Sequence, residues 1–183
     1  ELFKKIILEY VEMGGGDLGL TPTVGEPLAD KYLLERIKFA RSFDKIKKIG
    51  FYSNLISLAR FNIKDFVNFG LTDLAVSTSG LDQDMYKRVY RSNEYNRMYN
   101  NLINLLKENN NSGNPIDIVI DMRTDKTLNE TLNFPDYQKL LQYLPAKKFL
   151  CKFRYDDWSG KIKQSELSGT MKLRNMMVSM RFR

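Results

Sequence analysis

The chain has 183 residues, 43% hydrophobic, 28% charged and 12% aromatic, enough apolar material for one domain with a sizeable core, so a second domain is not expected. One cysteine and no histidine exclude a disulfide, a zinc site of the usual N/S type and a histidine general base, and with them many hydrolase mechanisms. Lys and Arg number 29 against 22 Asp and Glu, a net charge of +7 that suits phosphate-bearing partners; the basic residues are scattered singly and in pairs, however, which reads first as solvated helix faces.

Leu2, Phe3, Ile6, Ile7, Tyr10, Val11 and Met13 recur at helical spacing, and Gly14-Gly15-Gly16 stops that helix. This amphipathic start carries both charge signs, unlike a signal peptide, and no apolar run approaches the roughly 18 to 20 residues of a membrane span, so a cytoplasmic protein is expected. A strand over 17–23 follows, then a helix over 30–42 with Asp30 as N-cap. Residues 48–54 read as a strand, 63–69 as a helix closed by Gly70, and 73–76 as a further strand. A helical pattern then runs over 83–108 with a break near Ser92, and 109–115 is a loop by composition. Residues 116–120 (IDIVI) are apolar apart from Asp117, which reads as a strand covered on both faces. A helix over 135–143 and a strand over 148–155, with Cys151 as a buried structural thiol, complete the series. Five alternations of strand and helix predict an α/β fold with a parallel sheet, open or closed into a partial barrel.

Each strand ends in polar residues: Thr23, Gly25 and Glu26; Ser53 and Asn54; Ser77, Thr78 and Ser79; Asp121 and Arg123; Arg154, Asp156 and Asp157. Ligands of parallel α/β folds sit at such tips. Together these offer carboxylate, cation, hydroxyl and amide to a small zwitterionic or ribose-bearing ligand. Each also has a local explanation, since Ser and Asn form turns and Asp121 with Arg123 can make an ion pair.

Val24-Gly25-Glu26-Pro27 after a strand, Tyr52-Ser53-Asn54, residues 76–82 (VSTSGLD) and Asp157-Trp158-Ser159-Gly160 resemble the core of a radical S-adenosylmethionine enzyme. More narrowly, they are similar to the subgroup with a C-terminal auxiliary-cluster (SPASM or twitch) region. The resemblance implies a partial (β/α) TIM-type barrel of parallel strands with its first strand missing, a core over residues 1–157, and a linker over 158–183 toward an auxiliary-cluster region. It implies S-adenosylmethionine as cofactor, with Gly25, Glu26 and Pro27 in place of the family's Gly-Gly-Glu-Pro motif at the methionyl ammonium and Val24 in place of the first Gly. Ser77 and Ser79 would contact the ribose, Ser53 and Asn54 line the cleft, and Asp121 and Arg123 meet the ribose or the cofactor carboxylate. A [4Fe–4S] cluster, an electron donor such as flavodoxin or ferredoxin, and a peptide or small-molecule substrate belong to the same implication.

The family holds its cluster with three thiolates in a CxxxCxxC loop, and this chain has only Cys151. The chain is therefore expected to be either a piece of a longer enzyme, with an exposed sheet edge where a first strand belongs, or a natural relative that lost its clusters. The alternative function is a cluster-free binding module using the basic surface for nucleotide or nucleic acid. No RNA- or DNA-binding signature is present, which argues against nucleic acid.

Overall fold

The computed structural model describes residues 1–155 and 161–173. The elements in chain order are α1 (Leu2–Glu12), β1 (Gly16–Gly19), α2 (Leu33–Arg41), β2 (Ile46–Ser53), α3 (Ile63–Val67), β3 (Asp73–Ser79), α4 (Gln83–Tyr90), α5 (Tyr95–Asn111), β4 (Asp117–Arg123), α6 (Leu128–Leu132), α7 (Pro135–Leu140), β5 (Phe149–Lys152), β6 (Arg154–Tyr155) and β7 (Lys172–Leu173). Strands β1 to β5 form one all-parallel sheet in the order of the chain, with β1 and β5 at its edges, and β6 pairs with β7 in a separate two-stranded parallel ribbon. The fold is therefore α/β with flanking helices. No helix among the described residues is long and apolar enough to cross a membrane.

Side chains alternate across a strand, so one residue in two faces each side of the sheet. On one side Ile49 and Phe51 of β2, Leu74 and Val76 of β3, and Ile118, Ile120 and Met122 of β4 are buried in a single core. That core is completed by Ile7 of α1, Ile37 of α2, Phe66 of α3, Met98 and Leu102 of α5 and Leu140 of α7. The other side of the sheet is open. Its Gly50, Tyr52, Ala75, Val119 and Leu150 line a concavity of about 500 Å³, with Asp17, Lys48, Asp73 and Asp117 at the N-terminal ends of the strands. Tyr52 and Leu150 remain nearly half exposed there, at 48% and 46%. Strand β4 is thus covered on one face only, contrary to the expectation from its apolar run 118–120, because Val119 points into the concavity.

Several element boundaries differ from the sequence reading for local reasons. Strand β1 stops at Gly19 instead of reaching Thr23: Pro22 has no N–H to offer, and the Thr21 hydroxyl accepts the Tyr52 N–H (2.9 Å) where a ladder carbonyl would. Helix α2 starts at Leu33, and Asp30 is not its N-cap; it accepts the Tyr32 N–H (2.9 Å) and pairs with Arg36 (2.5 Å). Helices α4 and α5 are separated at Arg91, which is left-handed with φ 52°. Helix α5 runs on to Asn111, into the expected loop, because the buried Asn109 side chain both donates to the Ile116 carbonyl (3.0 Å) and accepts its N–H (3.1 Å). Helix α6, unforeseen, begins with a capping box between Thr127 and Glu130. The expected strand over 148–155 splits: β5 ends at Lys152, and the chain leaves the sheet to pair with β7.

Candidate functional site

At the β2 tip, Gly25 adopts φ +122°, a conformation open to glycine, and this turn delivers Glu26 as the cap of a 3-10 turn, Pro27–Ala29. Glu26 Oε1 accepts from the Ser53 hydroxyl (2.7 Å) and the Leu28 N–H (3.2 Å), and Oε2 accepts from the Asn54 N–H (2.9 Å). Ser53 Oγ in turn accepts the Leu55 N–H (3.0 Å), and Asn54 Oδ1 the Ile56 N–H (3.0 Å). The structure thus brings Gly25, Glu26, Pro27, Ser53 and Asn54 together as a network whose polar atoms bond one another. Ser53 is buried and shares its side of β2 with Ile49 and Phe51, so this network sits behind the tip, on the helix-covered side.

A second cluster lies at the tips of β3 and β4, on the open side. Ser77 is in register with Asp121, and Ser79 with Arg123. Arg123 Nη1 donates to Ser77 Oγ (2.8 Å) and to the Tyr90 hydroxyl (3.3 Å), and its guanidinium lies 5.6 Å from the centre of the Tyr155 ring. Burial works against its charge, but Tyr90, Asp121 and Tyr155 more than compensate, and it stays cationic. Among the described residues Nε and Nη2 of Arg123 have no hydrogen-bond partner. Ser77 Oγ accepts from Arg123 and also lies 3.5 Å from the Tyr90 hydroxyl, a hydrogen bond in which either oxygen can be the donor. Asp121 is 2% exposed and pairs through Oδ2 with Lys152 of β5, not with Arg123; its Oδ1 is buried without a hydrogen-bond partner among the described residues. Ser79 is turned away, donating to the Gly80 carbonyl (2.9 Å), and the hydroxyl of Thr78, on the helix side, is buried and unpaired. Thr23 lies in an exposed turn, away from both clusters.

A closed network fastens residues 161–173 beside this cluster. The buried Asp125 carboxylate accepts from Arg88 Nε (3.0 Å) and Nη2 (3.2 Å) and from the Ser168 hydroxyl (3.1 Å), and its carbonyl accepts the Thr170 N–H (3.0 Å). A Cβ on Gly169 would fall 2.0 Å from that carbonyl oxygen, so only glycine permits the approach. Burial pushes the Asp125 carboxyl up, but the hydrogen bonds from Arg88 and Ser168 outweigh it and hold the carboxyl below its ordinary range.

Cys151 packs half-buried against the core, and burial pushes its thiol above the ordinary value, away from reactive thiolate. Among the described residues no group of three or more His, Cys, Asp or Glu side chains is arranged to hold a metal ion. Tyr90, Lys152 and Tyr155 complete the open cluster and went unnoticed in the sequence. Tyr90 comes from a helix, and the β4–β5 register that brings Lys152 alongside joins residues about thirty positions apart. The residues Asp156, Asp157, Trp158, Ser159 and Gly160 and most of the basic stretch 172–183 lie outside the described residues. No model of a known protein family matches the chain, and no curated protein matches it significantly.

Proposed function

We propose that this chain is the barrel portion of a radical S-adenosylmethionine enzyme that binds its cofactor at the open rim of β3 and β4. The sheet order β1 to β5 has no reversal, and one face is left bare, as in a partial (β/α) barrel whose interior is the site. The observation that carries the reading is the Arg123–Ser77 pair. A guanidinium fixed by Ser77, Tyr90 and Tyr155 keeps two nitrogens for a ligand carboxylate, and the Ser77 O–H beside it suits a ribose or carboxylate oxygen. Glu26 supports the site as a positioning residue, since both of its oxygens are engaged in holding the turn and the β2 tip.

When bound, S-adenosylmethionine with a reduced [4Fe–4S] cluster supplies radical chemistry that abstracts hydrogen from a substrate. The cluster does not fit the residues of this chain: it needs three thiolates, and the one thiol, Cys151, faces the helix-covered core. No step through it is assigned to these residues, whose part is to bind and orient the cofactor and to wall the concavity. The reading places the protein in the cytoplasm, with a flavodoxin- or ferredoxin-type electron donor and a peptide or small-molecule substrate.

Iron and acid-labile sulfide in the full gene product, reconstituted without oxygen, test the proposal: about four iron per chain or a multiple is expected. In the same preparation Arg123→Ala is expected to weaken S-adenosylmethionine binding about tenfold or more, and Arg123→Lys not to restore it, since lysine lacks the planar fork. A product without iron that binds no S-adenosylmethionine would overturn the reading.

A further inference from the structure

We propose that Asp121 anchors the substrate, and that the concavity next to it takes a neutral group, an N–H or O–H donor carried on an apolar body such as a blocked peptide residue. The side chain is almost wholly buried, and while Lys152 satisfies Oδ2, Oδ1 has no hydrogen-bond partner. A buried acceptor left unmade is a standing cost to a fold, and natural proteins retain few of them.

Its position says what the oxygen is for. Asp121 stands one step below Arg123 on the same face of β4, roughly 7 Å along the strand. Val119, one step further down, and Leu150, the register partner of Asp121 on β5, both line the concavity. The charge balance selects the ligand. Lys152 already neutralises Asp121, and Arg123 stands above it, so the cluster carries a net positive charge and repels a further cation while its free oxygen still asks for a donor. The middle of the concavity is walled by Gly50, Ala75, Val119 and Leu150, which suits an apolar body. At its floor, Lys48–Asp73 and Lys148–Asp117 are paired with each other, and Asp17 is the lining carboxylate without an ion pair among the described residues, at the end of the strands away from Asp121.

The inference rests on the cofactor reading only in giving the occupant the part of substrate. The probes are N-acetyl-leucine amide (amide donor), isopentanol (hydroxyl donor) and leucine amide (a cation), titrated into the full gene product by ligand-observed NMR. Wild type is expected to bind at least one neutral probe, and leucine amide at least fivefold more weakly; which neutral probe binds tells a peptide amide from an alcohol. Asp121→Leu should lose the neutral probe at least tenfold while unfolding at the same temperature or higher. Val119→Phe, which fills the concavity without touching the carboxylate, should lose it too. Tighter binding of the cation, unchanged binding in either variant, or a drop of several degrees in Asp121→Leu would overturn the inference. Loss of S-adenosylmethionine affinity in Asp121→Leu would also overturn it, leaving the cofactor reading in place. Failure of wild type to bind S-adenosylmethionine would count against that reading alone, with the probes still deciding the role of Asp121.

Discussion

The tips of β2 and β4 use the same chemical vocabulary, a carboxylate beside a serine hydroxyl, to opposite ends. At β2, both Glu26 oxygens accept bonds from Ser53, Leu28 and Asn54, and the network lies on the helix-covered side of the sheet. At β4, among the described residues, one Asp121 oxygen and two Arg123 nitrogens have no hydrogen-bond partner, all on the open side. Residue types at a strand tip therefore do not tell a closed network from one with hydrogen-bonding capacity to spare. The closed networks should then be sensitive to truncation in stability, and the open cluster in binding.

The largest loss is expected for Arg88→Ala. It leaves the buried Asp125 carboxylate with Ser168 alone, a cost on the order of 3 kcal/mol, seen as a lower urea midpoint. Glu26→Ala removes three hydrogen bonds from a half-buried tip and should cost about 2 kcal/mol by the same measurement. Asp125 also sharpens the contrast in pH. Its carboxyl titrates lower in the folded chain than in the unfolded one, so its stabilisation is complete above the unfolded value of about 3.9 and fades as pH falls through the folded value. Asp125→Asn should lower stability at neutral pH yet flatten its decline below about pH 4. The smallest effect is expected for Ser77→Ala, within about 0.5 kcal/mol, because Tyr90 still receives Arg123 and no buried group is orphaned. A loss near that of Glu26→Ala would erase the distinction between the two tips.

Helix α1 and all five strands of the main sheet were legible because their signals are local: apolar spacing, glycine stops, and polar residues following β-branched runs. What stayed hidden depends on distant partners. Helix α6 is five residues long, too short for an apolar stripe, and its Thr127–Glu130 box was its one local sign. The β6–β7 pair is two residues a side and joins Arg154 to Lys172. Polar tips aligned on one sheet could be anticipated, and Ser77 does meet Arg123. The engagement of Glu26 could not be, because it is decided by Ser53, 27 residues away. Nor could the bare face: Ile118, Val119 and Ile120 are alike as a run, and only packing shows that the middle one is left outside the core.

That bare face separates two kinds of selection. The residues that hold the sheet to its helices and those that shape the concavity alternate along the same strands, with Phe51 and Leu74 belonging to both, so most of one set can be exchanged without disturbing the other. Gly50 is fixed as well, since a side chain there would press against Asp73 at 3.0 Å. A combinatorial library confined to Tyr52, Ala75, Val119 and Leu150 would explore new ligand shapes on an intact scaffold.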